Sequence, residues 1–231
     1  MTSDIAATST SGSARAIRRF GWAMCLLALG IVHSSARQII PVHLPLVDEG
    51  KQDPNFAAFR AKLLSLAQHG NYAEVKRVFA PRVQVDEGSY GVRELEQHWN
   101  VRRSPAAFLK ALATVLRLGG RFQDRRTVFI APYVWTDFPS AEDSPSYVVV
   151  IRPKTLLFDA PRTSANVVAT LSDEVGEDEV AAPQGWLKVQ LVDGRSGFVE
   201  VRNVRKPNDY RATFRLIGGR WLLTEFQAGV D

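Results

Sequence analysis

The chain has little cysteine, little methionine and no long apolar run. Its 231 residues include one cysteine and two methionines, which excludes a disulfide framework and any zinc cluster built on cysteines. No stretch reaches the about 20 apolar residues that a bilayer-spanning helix needs, so a polytopic membrane protein is excluded. Apolar residues make up 45% and charged residues 23%, a balance that excludes disorder of the whole chain. The length predicts one or two domains.

Signatures of common catalysts are absent as well. The sequence contains neither a Gly-x-Ser-x-Gly nucleophile elbow nor a His-Glu-x-x-His zinc motif. The segment 88–91 (GSYG) is too short for a phosphate-binding loop. Glu94 and His98 have the i, i+4 spacing of one helix face, but the other histidines fall in separate segments. We therefore predict no catalytic residues, no metal centre and no cofactor.

The N-terminal residues have the pattern of a secretory signal. Three arginines precede an apolar run at 20–32, and small residues follow it up to Ala36. We predict a signal peptide over 1–36, cleavage after Ala36, and a periplasmic or secreted protein with no stable membrane span after cleavage. An uncleaved signal anchor and a buried core helix are the alternatives. Cys25 lies inside the run, so the mature chain has no thiol for catalysis.

The charge balance is mild. The formal net charge is +5 at pH 7, and the predicted leader accounts for part of it because it carries three arginines and one aspartate. A balance this small does not favour nucleic acid as a partner, so we expect none.

The first half of the mature chain has helical periodicity. Residues 37–52 contain two prolines and no periodicity, which predicts a linker or an extended arm. We predict a helix-rich domain over 53–140, whose first helix is capped by Asp53 and whose second is capped by Asn71. The second helix is expected to include Val78 and Phe79 and to end at Pro81. Further helices are expected over 92–99 and after Ser104-Pro105, and residues 132–135 are expected to be extended.

The second half has the shorter periodicity of strands. Residues 147–205 contain five short apolar runs, a number that suits a small barrel. These runs are Tyr147–Ile151, Leu156–Phe158, Val167–Leu171, Trp186–Val192 and Gly197–Val201. Within 206–231, apolar and polar residues alternate on both sides of Gly218-Gly219, which predicts a two-residue hairpin turn. An isolated hairpin is marginal in water, so we expect it to pack on 53–140.

Two motifs in the predicted barrel are typical of one domain family. They are 185–189 (GWLKV) and 193–199 (DGRSGFV), and a loop that ends in proline, 158–161 (FDAP), precedes them. In this order they make 147–205 similar to the bacterial Src-homology-3-like domains of exported proteins. The resemblance covers about 60 residues and implies a five-stranded barrel.

The same resemblance implies a peptide-binding surface without chemistry. In this family a shallow groove between two loops accepts extended peptides at a small ordering cost. The loops here are 158–166 and the acidic 172–184, whose carboxylates would attract amine groups. We expect the ligand-binding side chains to be Phe158, Asp159, Glu174, Glu177, Trp186 and Phe198. A core role for Trp186 and a merely solvated acidic loop are the alternatives.

The remaining segments have a second resemblance. The helices, together with the hairpin motif of Tyr210, Ala212, Phe214 and Trp221, look like the cystatin-like cone of nuclear-transport-factor and polyketide-cyclase relatives. The predicted fold class is therefore α+β, with a helical or cone-like unit, a small barrel and a C-terminal hairpin.

From these features we predict a non-catalytic exported protein that binds peptidoglycan peptide or an envelope protein. The alternative is a small-molecule binder or enzyme that uses a pocket in the α+β unit. Its candidate walls are Trp99, Tyr133, Trp135 and Trp221. A hairpin that docks on another chain is a third possibility, and the oligomeric state stays open.

Overall fold

The fold is α+β and contains two mostly antiparallel sheets. The computed structural model describes residues 39–141, 144–179 and 182–228. The predicted signal peptide over 1–36 lies outside the described residues. No helix within the described ranges has the length and apolar character to cross a bilayer.

Five α-helices lie in the first half of the described chain. They are α1 (Pro54–Gln68), α2 (Tyr72–Lys76), α3 (Val92–His98), α4 (Ala106–Arg117) and α5 (Tyr133–Asp137). The predicted caps of the first two helices are confirmed. The Asp53 side chain accepts a hydrogen bond from the Phe56 N–H at 2.9 Å, and the Asn71 side chain accepts one from the Glu74 N–H at 3.2 Å.

The described residues form thirteen strands, which divide into a six-stranded and a seven-stranded sheet. In chain order they are β1 (Phe79–Asp86), β2 (Ser89–Tyr90), β3 (Arg121–Gln123), β4 (Val128–Ala131), β5 (Tyr147–Val150), β6 (Thr155–Phe158), β7 (Val167–Leu171), β8 (Val175–Glu179), β9 (Trp186–Leu191), β10 (Ser196–Glu200), β11 (Val204–Arg205), β12 (Arg211–Ile217) and β13 (Arg220–Gln227).

The six-stranded sheet joins the helical segment to the C-terminal hairpin. Its order is β2-β1-β13-β12-β4-β3, in which β1 and β13 are parallel and all other neighbours are antiparallel. The turn at Gly218-Gly219 is confirmed, because Ile217 pairs with Arg220. The hairpin therefore lies in the middle of this sheet.

An aromatic core fills the space between this sheet and the helices. Phe56 on α1 is fully buried, and its ring centroid lies 4.2 Å from that of Phe129 and 4.8 Å from that of Trp221. Phe108 on α4 packs edge-on against Phe226 at 5.2 Å. Burial at about 25 cal/mol per Å² of apolar surface is the main force that holds these elements together.

The seven-stranded sheet corrects the prediction of a closed five-stranded barrel. All five strands predicted in 147–205 are present, but β8 and β11 add to them, and the order is β11-β5-β8-β9-β10-β6-β7. The described parts of the edge strands β11 and β7 do not pair with each other, so the sheet is open. The two added strands escaped prediction because one is charged and the other has two residues.

The acidic segment predicted as a loop at 172–184 contains a strand. Val175–Glu179 forms β8 between β5 and β9. Its charges are tolerated there because Lys206 lies 2.8 Å from the Asp178 carboxylate and Lys188 lies 2.5 Å from that of Glu179.

Two other local predictions were wrong. Val78 and Phe79 were expected in the second helix, but that helix ends at Lys76 and Phe79 begins β1. The pairing of Phe79 with Leu223 of β13 outweighs the helical periodicity. Residues 132–135 were expected to be extended, whereas α5 begins at Tyr133.

Residues 37–52 were predicted as a linker or an extended arm, and their described part, 39–52, is an arm that contacts both sheets. The Leu44 N–H donates to the Asp173 carbonyl at 2.8 Å, beside the seven-stranded sheet. The Glu49 N–H donates to the Gly120 carbonyl at 3.0 Å, beside the six-stranded sheet. The arm therefore ties the two sheets together.

Candidate functional site

Three of the predicted ligand-binding residues form one aromatic row on the seven-stranded sheet. Phe198 of β10 pairs with Phe158 of β6, and the Phe158 ring lies 5.6 Å from that of Trp186 in an edge-to-face arrangement. Phe158 pairs in turn with Val167 on the edge strand β7. The row thus crosses four strands, β9, β10, β6 and β7, and ends at an open sheet edge.

The row lies on the sheet face opposite to the apolar core of this sheet. Leu157, Val189 and Val199 are buried together on the inner face. Because neighbouring residues of a strand point to opposite faces, Phe158 and Phe198 point outward. Phe158 is covered by its neighbours, whereas Trp186 and Phe198 remain half-buried. Both residues therefore keep part of their surface open to a ligand.

Asp159 holds the loop that follows the row. Its carboxylate accepts hydrogen bonds from the Asn166 backbone N–H at 3.1 Å and from the Asn166 side-chain amide at 2.8 Å. The Asp159 N–H also donates to the Asn166 carbonyl at 3.0 Å. The structure therefore gives Asp159 a role in closing the loop over 159–166.

Of the acidic residues predicted to bind a ligand, Glu177 is the one on the same face as the row. It pairs with Gln190 across β8 and β9, and Gln190 shares the outward face of Trp186 by strand alternation. Glu177 is exposed, and no lysine, arginine or histidine among the described residues lies within 4.0 Å of its carboxylate. A carboxylate on this face without an ion-pair partner is suited to bind an amine.

Glu174 lies away from this row, in a cluster with His43 and Asp173. One ligand atom of each lies within 4.8 Å of the others, the spacing that a divalent cation needs. However, Glu174 Oε2 accepts hydrogen bonds from two backbone N–H groups, and Arg195 lies 3.4 Å from Glu174 Oε1. A guanidinium this close repels a cation, so we assign the cluster to the attachment of the arm at β8.

The hydrogen bonds of Glu174 determine its protonation. Burial acts to raise its pKa, but the N–H groups of Ser172 and Asp173 and the Arg195 guanidinium outweigh burial and hold the pKa below its usual range. Glu174 is therefore a charged structural residue at neutral pH.

The α+β unit contains a separate cleft of about 790 Å³ between α1, α2 and the tip of the β12–β13 hairpin. Its apolar walls include Phe59, Leu63, Leu66 and Trp221, and basic side chains lie at its rim. Of the four predicted walls, Trp221 alone lines this cleft. The apolar stripe of α1 was the sequence signal for it, but its partner surface comes from the far end of the chain.

The other predicted wall residues lie elsewhere. Tyr133 is buried in a second core cluster beneath the arm. Burial first, and then the charges of Asp173 and Asp137, raise the pKa of Tyr133 to about 12. The Trp135 ring lies 3.9 Å from the Arg211 guanidinium, and the Trp99 ring lies 4.6 Å from that of Tyr210.

The comparisons with known proteins give no relative for this chain: no protein-family model, no curated protein and no solved structure matches it. The resemblances described from the sequence motifs stay predictions.

Proposed function

We propose that this protein is exported to the periplasm or secreted, is not a catalyst, and binds extended peptides at the aromatic row of its Src-homology-3-like segment. The peptide ligand belongs to peptidoglycan or to an envelope protein. The observation that carries the proposal is the row of Trp186, Phe198 and Phe158 on the outward sheet face. Trp186 and Phe198 are half-buried there, and the row reaches the open edge at Val167. Because the sheet is open, this face replaces the barrel groove as the candidate surface.

The end of the row supports an extended ligand. Val167 and Val168 of β7 are 51% and 47% exposed, and β7 has β6 as its neighbour on one side and, within the described residues, no strand on the other. An exposed apolar edge strand is a template for the addition of a further strand. A peptide bound along β7 would receive main-chain hydrogen bonds and would place alternate side chains in line with the aromatic row.

The charge at the row supports a ligand with an amine. Asp178 and Glu179 of β8 pair with lysines, and Glu200 of β10 pairs with Arg202. Among these acidic residues this leaves Glu177 to attract a cation on this face. A surface salt bridge of this kind contributes about 1 kcal/mol or less, so the aromatic contacts must supply most of the affinity.

The test is sedimentation of residues 37–231 with purified peptidoglycan, at low and at high salt. We expect retention of the protein, a loss of at least about tenfold in affinity for Phe198→Ser, and a similar loss for Val167→Lys, which places a charge at the edge. Tyr90→Ala is the matched control, because Tyr90 is a 44% exposed strand aromatic outside the row.

An absence of retention at both salt concentrations would remove peptidoglycan as the ligand. Binding of an envelope protein is tested separately, by crosslinking from a photoreactive amino acid placed at position 168. Equal crosslinking by the parent protein and by Phe198→Ser would contradict binding at the row.

The cleft beside α1 favours a second candidate function, the binding of a small amphiphile. Lys62 and Arg220 at its rim have no carboxylate within 4.0 Å among the described residues, and the apolar part of its walls comes from α1 and Trp221. The carboxylates in its lining are already engaged, because Asp53 caps α1 and Glu74 pairs with Arg77. An apolar body with an anionic end fits this arrangement. The test is fluorescence of a hydrophobic anionic dye, which we expect to rise on binding and to fall to background in Leu66→Trp, a variant that fills the cleft.

A further inference from the structure

Two residues whose buried hydrogen-bond donors lack a partner line the same cavity. In the part of the chain that the structure describes, the buried side-chain polar atoms that lack a hydrogen bond are Trp99 Nε1 and Arg205 Nε. Both residues line a cavity of about 350 Å³ between α4 and the segment that joins β11 to β12. Buried donors are almost always paired in native proteins, so two unpaired donors in one cavity indicate a missing acceptor.

Arg205 is the stronger of the two indications. Arg205 is 9% exposed, and its guanidinium donates a hydrogen bond through Nη2 to the Tyr210 carbonyl. No carboxylate in the described ranges lies within 4.0 Å of it, and Asp209 acts on it only at longer range. Burial lowers the pKa of Arg205, because the charged form is separated from water. A buried cation of this kind is unfavourable unless an anion is beside it.

The neighbouring side chains make the surroundings positive. A second cleft of about 850 Å³ shares Lys110, Thr114, Arg205 and Asp209 with the first, so the two are continuous along α4. Lys110, Thr114 and Arg117 follow the i, i+4, i+7 spacing of one helix face.

The second cleft adds further charges. Arg152 and Arg202 contribute cations, and Glu200 is already engaged by Arg202 at 2.8 Å. Asp209 is then the carboxylate that opposes these cations, and it is exposed.

We propose that this cavity is a binding site for a small oxyanion, a carboxylate or a phosphate group, held by Arg205, Trp99 and Lys110. An oxyanion carries several acceptor lone pairs, so one group in the cavity can bind the Lys110 ammonium and the Arg205 guanidinium. Because the Arg205 Nε–H and the Trp99 indole N–H are covered in this structure, a rotation of the side chains must accompany their hydrogen bonds to the anion. The bonds from Arg205 and Lys110 are charge-assisted, which makes them about twice as strong as neutral ones. The smaller cavity is sized for a single small ligand, and the wider cleft leaves room for the rest of its molecule.

The site is separate from the peptide-binding row and does not depend on it. Trp99 follows α3, Lys110 is on α4 and Arg205 is on β11, whereas the row lies on β9, β10, β6 and β7. Loss of peptide binding in Phe198→Ser would therefore leave oxyanion binding unchanged, and the two proposals can fail independently.

The test is a titration of ¹⁵N-labelled residues 37–231, followed through the indole N–H resonances in ¹H–¹⁵N spectra. Inorganic phosphate and succinate are the two probes, and sodium chloride at matched ionic strength is the reference. Trp99→Phe assigns the Trp99 resonance. We expect this resonance to shift and to saturate with at least one probe, and the probe that binds more tightly identifies the head group.

Variants decide whether the proposed donors are responsible. We expect Arg205→Met and Lys110→Gln each to weaken binding at least about tenfold, as the loss of a charge-assisted bond predicts. Arg162→Gln, which removes an exposed charge outside both clefts, is expected to leave the affinity unchanged. Lys110 is exposed, so its variant keeps the test decisive if Arg205→Met does not fold.

Two results would overturn the proposal. One is the absence of a saturable shift of the Trp99 resonance with both probes beyond the effect of chloride. The other is binding that stays unchanged in both Arg205→Met and Lys110→Gln, because the anion would then lie elsewhere.

Discussion

The contact between Phe56 and Trp221 tests whether the C-terminal hairpin is part of the helical unit. Phe56 is on α1 and Trp221 is on β13, and their ring centroids lie 4.8 Å apart with planes at 73°. Both residues belong to one core cluster with Phe129 and Phe214. The perturbation is a double-mutant cycle with Phe56→Leu and Trp221→Leu, since leucine keeps the core apolar and removes the edge-to-face pair.

The expected magnitudes follow from burial and ring geometry. Phe56 is fully buried and Trp221 is 8% exposed, so each single change removes buried aromatic volume and should cost about 2 kcal/mol of unfolding free energy. An aromatic pair contributes about 0.5–1.5 kcal/mol beyond its burial. The double variant should therefore be about 1 kcal/mol more stable than the sum of the two single effects predicts.

Urea unfolding, followed by far-UV circular dichroism, measures the cycle. The control cycle combines Phe56→Leu with Leu157→Ala, because Leu157 lies in the separate core of the seven-stranded sheet. That pair should be additive within about 0.5 kcal/mol. A coupling between Phe56 and Trp221 no larger than that of the control would refute the packing of the hairpin on α1.

Three further changes test other parts of the structure. Asp48→Asn leaves the buried Arg60 guanidinium without the carboxylate that it contacts at 2.5 and 2.9 Å, and should cost about 3 kcal/mol in urea unfolding, with partial recovery when Arg60→Met is added; an unchanged midpoint would contradict the pair. Because the pKa of Glu174 is lowered in the folded state, its charged form stabilises the fold at pH values above the usual pKa of 4.5. This stabilisation is lost as the pH falls through the folded pKa. The melting temperature of Glu174→Gln should therefore lie below that of the parent at pH 7 and converge with it in acid. A difference that is independent of pH would disagree with this account. Gly120→Ala would place Cβ 2.0 Å from a backbone carbonyl at φ +152°, and should cost about 2 kcal/mol or more, whereas Gly218→Asn at φ +56° has open space and should cost less than about 1 kcal/mol; equal costs would argue against this geometry.

Local signals in the sequence predicted the elements that local chemistry determines. The caps at Asp53 and Asn71 and the turn at Gly218-Gly219 depend on residues within a few positions, and all three were found. The start of β1 could not be predicted in this way, because Phe79 is held by Leu223 from the other end of the chain. Contacts between distant segments leave no local periodicity.

The charged strand β8 was not predicted for a similar reason, because the residues that neutralise it are distant in the sequence. A run of acidic residues is typical of a solvated loop, and the segment after Ser172 was predicted as one. The strand is favourable because Lys188 and Lys206, which lie later in the chain, pair with Glu179 and Asp178. Pairing also removes most of the negative field that the sequence had predicted for the binding surface.

The candidate sites also differ in whether local sequence signals could predict them. Trp186, Phe198 and Phe158 could be found from the sequence, because the motifs that carry them lie on adjacent strands and bring the rings together. Trp99 and Arg205 could not, because their significance is the lack of a partner in a cavity that their distant segments build.

The burial of the Arg205 charge between the two sheets supports a role in binding rather than in stability. The chain leaves the seven-stranded sheet at β11 and enters the six-stranded sheet at β12, so Arg205 lies where the two sheets are joined. A methionine there would avoid the desolvation of a charge, and replacement of buried ionic groups by apolar ones is often neutral or stabilising. We therefore expect Arg205→Met to lose less than about 1 kcal/mol of stability without ligand. A bound oxyanion at a hundred times its dissociation constant should add about 2.7 kcal/mol to the parent and far less to the variant. Urea unfolding with and without the anion measures both quantities, and a large loss of stability in anion-free Arg205→Met would make Arg205 a structural residue instead.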